Sequence, residues 1–166
     1  DGQTILGNNL YPTTFRLLDP ADGTPPPHPF SAQLGDAIHL TGYDLNPQSP
    51  IPNPQSPISL ALYWQSTAKI PTGYTVFTQL LGPDGQVWAQ WDNPPQAGRY
   101  PTTAWAEHDS VVDRYTLTLR EGAPPGQYRL LVGMYDPATG QRLPALVNGQ
   151  PQPDNAVLLT TLSLTP

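Results

Sequence analysis

The sequence contains no cysteine among its 166 residues. This absence excludes disulfides, thiolate metal ligands and thiol nucleophiles. Positive charge is also scarce, because Lys69 is the only lysine and Lys plus Arg number 7 against 13 Asp plus Glu, for a formal charge of −6. Binding to a phosphate backbone needs clustered basic residues. We therefore expect no nucleic-acid partner.

Long apolar runs are missing as well. No stretch approaches the roughly 18 apolar residues that suggest a membrane span, and no basic amphipathic helix is evident, so we expect no direct membrane insertion. The N-terminal stretch DGQTILGNNL has neither the charged nor the apolar region of a signal peptide, and it does not begin with Met. We expect the chain to be an excised domain or a mature fragment.

Charged residues make up only 12% of the chain, about half the typical share. A folded form would therefore expose mainly Thr, Gln, Asn and Ser, a surface that suits an extracellular protein. The 23 prolines and 14 glycines together make up about 22% of the chain, just under the share of roughly 25–30% that indicates disorder. They fall between apolar runs, as in a many-stranded fold with rigid turns.

Alternation of apolar and polar residues with a period of two is the main pattern along the chain. In Ile58–Ser66 the alternation places Ile58, Leu60, Leu62 and Trp64 on one face. The runs Tyr74–Gly82 and Gln86–Asp92 flank the turn sequence GPDGQ and predict a hairpin. The other predicted strands are Thr14–Asp19, Asp36–Leu45, Ser110–Leu119, Gln127–Asp136, Gln141–Val147 and Ala156–Leu164.

Many short strands separated by turns predict an all-β fold, a two-sheet antiparallel β-sandwich with long Pro-rich loops, either immunoglobulin-like or jelly-roll. The Pro-Gly turn before Tyr128 places that residue where a tyrosine corner would lie, and we expect Trp64 in the core. We predict a single domain over residues 1–166, with an edge strand and Pro-rich linker over 1–29 and the sandwich body over 30–166.

One of the loops contains a short tandem repeat. The sequence NPQSPI occurs at 46–51 and again at 53–58. Its prolines favour polyproline II structure, and the repeat is typical of a duplication in a tolerant loop.

Five longer motifs follow one another along the chain: FSAQLGDAIHLTGYDL, ISLALYWQS, YTVFTQLLGPDGQVWAQWDNPP, YPTTAWAEHDSVVDRYTLTL and PPGQYRLLVGMYDPATGQRLP. Together they resemble an extracytoplasmic domain appended C-terminally to bacterial membrane glycosyltransferases of the dolichyl-phosphate-mannose mannosyltransferase type. The similarity covers about Phe30 to Leu164. It implies a β-sandwich on the cell-surface side of a bacterial membrane, beside a membrane-embedded catalytic part that this chain lacks, and it supplies no catalytic residues.

Charged side chains are concentrated around Glu107, His108, Asp109, Asp113 and Arg114. A glycosidase would need two carboxylates at a set separation. A serine hydrolase would need a GxSxG turn, and a nucleotide enzyme a Gly-rich phosphate loop. The sequence offers none of these convincingly, so we expect no enzymatic activity. We expect instead a solvated turn over 107–109 and a structural ion pair made by Asp113 or Arg114.

A metal site is a weaker alternative. The three histidines, His28, His39 and His108, lack the spacing of zinc ligands. Calcium prefers clustered carboxylates and loop carbonyls, but turn chemistry explains Asp-containing loops equally well. We therefore expect no cofactor and assign no metal ligands, with calcium kept as an alternative. The turn aspartates are Asp19, Asp22, Asp84, Asp92, Asp109 and Asp136.

The aromatic residues give the best indication of function, because sugar rings stack their apolar C–H faces on Trp and Tyr while polar side chains bind the hydroxyls. Trp88 and Trp91 are three residues apart, so on a regular strand they point to opposite faces and one should be exposed. Core or corner packing of these aromatic side chains is the alternative. The hypothetical ligand-binding surface comprises Trp91, Asp92, Asn93, Arg99, Tyr100 and Trp105.

The function predicted from the sequence is a non-catalytic extracytoplasmic accessory module of a membrane glycosyltransferase. Its expected partners are a glycan or lipid-linked sugar acceptor and the membrane-embedded catalytic part of the parent protein. The alternative is a structural or protein–protein interaction β-sandwich with no small-molecule ligand.

Overall fold

The computed structural model describes residues 24–47 and 49–165. The predicted edge strand at Thr14–Asp19 lies outside these residues. Within them, no helix is long and apolar enough to cross a membrane. The strands are β1 (His28–Leu34), β2 (Ile38–Asn46), β3 (Ile58–Ser66), β4 (Thr75–Leu81), β5 (Val87–Asn93), β6 (Ser110–Leu117), β7 (Gly126–Tyr135), β8 (Ala145–Val147), β9 (Gln150–Pro151) and β10 (Val157–Leu164). Short 3₁₀ turns lie at Pro95–Gly98, Thr102–Ala104 and Pro153–Asn155.

The strands form two antiparallel sheets packed face to face, which confirms the predicted β-sandwich. The large sheet has the order β6-β3-β2-β1-β8-β9, and the small sheet has the order β10-β7-β4-β5. The longer strands β2, β3, β6, β7 and β10 bury roughly every second side chain between the sheets, as the period of two requires. Trp64 of β3 is 1% exposed in this core, so its predicted position is confirmed.

The predicted tyrosine corner is present at the start of β7. The Tyr128 hydroxyl donates a hydrogen bond to the Pro124 carbonyl at 2.6 Å, while its ring is fully buried. The hydroxyl therefore finds a backbone acceptor four residues upstream, as a tyrosine corner requires.

The sequence pattern does not predict strand β1, because PPPHP is typical of a linker. The structure pairs β1 with β2 through a bulge between Pro29 and Ala32. On its other side, β8 pairs only with Ala32–Leu34. Pro29 therefore lies where the strand locally forms an edge, a position that tolerates a residue without a backbone N–H.

The tandem repeat carries one buried isoleucine in each copy. Ile51 and Ile58 are both fully buried. The Ile51 backbone N–H donates to the Ser163 carbonyl at 2.7 Å, and Ile51 forms a parallel bridge with Leu164. Each copy is thus anchored to the sandwich by its last residue.

The outer face of the small sheet is covered at one place by the chain that follows β7. Phe77 of β4 points outward yet is only 1% exposed, and it pairs across the strands with Gly133 of β7. The Arg142 guanidinium lies 4.2 Å from the Phe77 ring centroid, a cation–π geometry. A Cβ at Gly133 would lie 2.4 Å from Phe77 Cζ, so this ring occupies the space that a side chain at 133 would need.

We predict that Gly133→Ala destabilises the domain by about 1–3 kcal/mol, since the added methyl group must displace the Phe77 ring. Gly73→Ala is the matched control, because a Cβ at this position would lie 3.9 Å from Thr103 Cγ2, an ordinary van der Waals contact. The control should change stability by less than about 0.5 kcal/mol. Urea unfolding of both variants checks this, and equal stabilities would contradict the packing role assigned to Gly133.

Candidate functional site

The connection between β5 and β6 crosses from the small sheet to the large sheet and is held by side-chain hydrogen bonds. Trp105 Nε1 donates to the Tyr100 carbonyl at 3.0 Å, and the Tyr100 hydroxyl donates to the Asp109 carboxylate. Thr102 Oγ1 donates to the Thr72 carbonyl at 2.7 Å. Trp105 is fully buried and Tyr100 is 8% exposed. Both rings pack in the core. The prediction that they belong to the exposed ligand-binding surface is therefore wrong for Tyr100 and Trp105.

The turn before β6 is structural. The Glu107 and His108 side chains are exposed, with Oε1 and Nε2 3.5 Å apart, as expected for a solvated turn. Asp109 folds back on this turn, and its Oδ2 accepts the Ala106 backbone N–H at 2.8 Å. Ser66 Oγ accepts the Asp109 backbone N–H at 3.1 Å, which ties the turn to the end of β3.

Asp113 faces the core and is 1% exposed. Its Oδ1 accepts the Gln96 backbone N–H at 2.9 Å, and its Oδ2 accepts the Tyr115 hydroxyl. Asp113 is therefore held by neutral donors, and the expected ion pair is wrong for this residue. Burial raises the pKa of the Asp113 carboxyl to about 6, against the opposing effect of these hydrogen bonds.

Trp91 lies on β5, the outermost strand of the small sheet at the side of the sandwich that also carries β6. It is 47% exposed and shares its face of the strand with Ala89 and Asn93. The backbone at this point is fixed, because Trp91 pairs with Thr78 of β4 and its carbonyl accepts the Thr78 hydroxyl at 3.0 Å. The exposed indole therefore stands on a rigid strand.

The other residues of the predicted surface diverge from Trp91. Asp92 is exposed on the opposite face of β5, near Tyr135. Burial is the main cause that raises the pKa of the Tyr135 hydroxyl. The nearby Asp92 charge and a hydrogen bond between the two side chains raise this pKa further. Arg99 is exposed, and its Nε donates to the Gln96 carbonyl at 3.3 Å. Trp91 and Asn93 thus remain on one side of β5, while Asp92 belongs to the other.

A hollow of about 650 Å³ runs along β5 from Val87 to Gln90. The Arg120 backbone N–H donates to the Trp88 carbonyl at 2.9 Å, and its guanidinium lies 5.2 Å from the Trp88 ring centroid. Sequence reasoning missed Arg120, because only the fold brings the end of β6 to β5. The hollow is lined by Gln86, Val87, Trp88, Ala89, Gln90 and Arg120. We use the name β5 margin for Trp91 and Asn93 on one face of β5, Trp88 and Gln90 on the other, and Arg120 beside Trp88.

The turn aspartates bind their own backbone. Asp84 Oδ1 accepts the Gln86 N–H at 3.0 Å and Trp88 Nε1 at 3.0 Å. Asp136 Oδ1 accepts the Ala138 N–H at 2.8 Å. Over residues 24–47 and 49–165, no three His, Asp or Glu side chains come together in a way that could hold a metal ion. Asp19 and Asp22 lie outside this part of the chain.

No family model matches this chain, and no curated protein matches it in sequence. Among solved structures, it is similar to the C-terminal domain of Wzt, with a TM-score of 0.57 and 12% identity, over 87% of this chain and 83% of that one. It also matches the CARDB domain of the PF1109 protein from Pyrococcus furiosus, solved in complex with di-metal ions, with a TM-score of 0.44 and 11% identity over 83% and 91% of the chains. The Wzt likeness supports the sandwich fold.

Asp113 makes stability depend on pH. Its folded pKa of about 6 lies above the ordinary value of 3.8, so between these values the folded protein binds more protons than the unfolded chain. The free energy of unfolding should therefore fall as pH rises from about 4 to about 6, by up to about 3 kcal/mol from this group.

We predict that Asp113→Asn flattens this part of the profile, since the amide cannot ionise and its oxygen still accepts the Gln96 N–H. Asp154→Asn, which removes an exposed carboxylate, is the control and should leave the profile unchanged. Urea unfolding of the three proteins between pH 4 and pH 8 measures the effect. Parallel profiles for the wild type and Asp113→Asn would show that Asp113 does not titrate in this range.

Proposed function

We propose that this chain is a non-catalytic extracytoplasmic module that binds carbohydrate and serves a membrane glycosyltransferase whose catalytic part is absent here. The observation that carries the proposal is Trp91, an indole that is 47% exposed on a paired strand at the edge of the small sheet. The resemblance in sequence supports the glycosyltransferase context and the location outside the membrane.

The β5 margin has the chemistry that a sugar requires. The Trp91 ring offers an apolar face for the C–H groups of a pyranose. Asn93 lies on the same face of the strand and carries an amide group that hydrogen-bonds to hydroxyls. Because β4 fixes the strand, little conformational entropy is lost when the ligand stacks. The net charge of −6 favours a neutral glycan over a polyanion.

The absence of catalysis is proposed from what the acidic side chains do. Asp109 is bound to a turn and to Tyr100, and Asp113 is buried against Gln96 and Tyr115. Glu107 lies on an exposed turn beside His108. A glycosidase places two carboxylates across a cleft that holds the scissile bond, whereas Asp109 and Asp113 are held in structural hydrogen bonds.

One observation favours the alternative of a protein-interaction module. Leu158 is 43% exposed on the outer face of the small sheet, and it pairs across the strands with the half-buried Leu131. A neighbouring domain or the membrane part of the parent protein could pack on these side chains.

A glycan array probed with the purified chain, in calcium and again with chelator, separates the two functions. Reproducible binding supports the carbohydrate module, and loss of that binding under chelator would place calcium in the site. An array without binding would overturn the carbohydrate proposal and leave the interaction module.

We predict that Trp91→Ala weakens glycan binding at least tenfold, because it removes the stacking surface. Leu158→Ala is the matched control, since it shortens an apolar side chain of similar exposure on the same sheet. Both variants should keep their free energy of unfolding within about 1 kcal/mol of the wild type. Titration calorimetry against the best array ligand gives the affinities. An unchanged affinity for Trp91→Ala would place the binding site elsewhere.

A further inference from the structure

The hollow of about 650 Å³ beside β5 lies at the edge of the small sheet, next to the chain that follows β6. It forms at a β-bulge. The pairing of β5 with β4 shifts register between Leu80 and Leu81, which leaves Trp88 as an extra residue in β5. Bulges re-aim local groups and often lie beside functional sites. We use the name edge hollow for this feature, which is lined by Gln86, Val87, Trp88, Ala89, Gln90 and Arg120.

Arg120 is the only basic residue that lines the edge hollow, and three contacts hold it there. Its backbone N–H donates to the Trp88 carbonyl at 2.9 Å. Its guanidinium lies 5.2 Å from the Trp88 ring centroid, a cation–π geometry, and its Nη2 donates to the Val87 carbonyl. A guanidinium has five N–H groups, and the hydrogen bond to Val87 engages one of them. The side chain is therefore fixed while most of its donors stay available to a ligand.

The Trp88 ring that supports Arg120 is itself locked in place. Its Nε1 donates to Asp84 Oδ1 at 3.0 Å. A Cβ at Gly82 would lie 2.5 Å from Trp88 Cδ1, so the ring packs directly against the glycine. Because the guanidinium rests on a support that is already ordered, little conformational entropy is lost when a ligand binds to it.

The positive charge of Arg120 is available to a ligand. Arg120 is exposed and forms no ion pair with a carboxylate of residues 24–47 or 49–165. The nearby Asp84 carboxylate is engaged elsewhere. The hydrogen bond from Trp88, followed by the bond from the Gln86 backbone, lowers the pKa of Asp84 most, and the Arg120 charge lowers this pKa least. The edge hollow therefore presents a fixed cation that can bind an anionic group.

We propose that the edge hollow binds a carboxylate or phosphate group carried by a sugar, with Arg120 as the residue that binds the anion. The inference rests on the proposed function for the class of ligand, and its site is separate from Trp91. The donors of a guanidinium lie in its plane, so stacking on Trp88 leaves them free for two parallel hydrogen bonds to an anion. The side-chain amides of Gln86 and Gln90 line the same hollow and can hydrogen-bond to the neighbouring hydroxyls.

The charges of the chain limit the ligand to one with isolated acidic groups. A single guanidinium matches a single anion, whereas the formal charge of −6 repels a polyanion. A nucleic-acid strand would need clustered basic residues, and the edge hollow offers Arg120 alone. The ligand that fits is a glycan that is neutral apart from the acidic group at the hollow.

The test is an NMR titration of the ¹⁵N-labelled chain with four probes: glucuronic acid, glucose 1-phosphate, glucose and inorganic phosphate. The signals followed are the Arg120 Nε–H and the backbone amides of Trp88 and Gln90. We predict that at least one of the two acidic sugars binds about tenfold or more tightly than glucose, and that Arg120→Gln removes this difference. Added salt should weaken the binding, because Arg120 is exposed.

Arg142→Gln is the matched control, because it removes the same charge from a cation–π contact and from a hydrogen bond to a backbone carbonyl. Its ring partner Phe77 pairs with Asp92, towards the other end of β5 from the edge hollow. The control should keep the affinity for the acidic sugar within about twofold of the wild type. Urea unfolding checks that both variants are folded. Equal losses in both variants would show a general effect of net charge and would overturn the role of Arg120.

The four probes separate the source of the anion from a failure of the inference. Binding of glucuronic acid alone supports a sugar carboxylate, and binding of glucose 1-phosphate alone supports a sugar phosphate. Inorganic phosphate that binds as tightly as glucose 1-phosphate would show an adventitious ion only and would overturn the inference. No shift at the edge hollow with either acidic sugar would also overturn it, while array binding that depends on Trp91 would leave the proposed function standing. No shift by any probe, together with a glycan array without binding, would overturn both.

Discussion

The hydrogen bond from the Gln96 backbone to the Asp113 carboxylate joins the two sheets at the side of the sandwich where both have an edge strand. A sandwich is held mainly by apolar contact between its faces, and such contact does not close its sides. Asp113 fixes the turn that follows β5 to the edge of the large sheet, at the energetic cost of burying a carboxylate. Trp91 lies on the strand just before this turn, and the connection that follows the turn carries Trp105.

Most of the fold could be predicted from local pattern. Alternation located the central strands, and the positions of Trp64 and Tyr128 followed from their places at a strand centre and after a Pro-Gly turn. Strand β1 could not be found in this way, because its proline and its bulge break the alternation, and the strand forms through pairing with β2 and β8. Strand pairing is a long-range property that a one-dimensional pattern does not contain.

The residues of the candidate site likewise fall into those that local pattern predicts and those that depend on long-range contacts. The sequence predicted that Trp88 and Trp91 point to opposite faces of one strand, whereas the exposure of Trp91 follows from the position of β5 at the edge of the small sheet. The burial of Tyr100 and Trp105 depends on Asp109 and on Thr102, which a loop sequence does not reveal. Arg120 acquires its place in the site only through the fold, since it meets β5 of the other sheet.

The isoleucine at the end of each NPQSPI copy bears on how this loop could have grown. Residues inserted into a loop normally increase only the entropic cost of closing that loop, and this cost rises slowly with loop length. Here the added copy also brings an apolar residue that the sandwich buries, so the insertion offsets part of its own cost. A self-anchoring unit of this kind gives evolution a way to lengthen one loop while the framework stays intact.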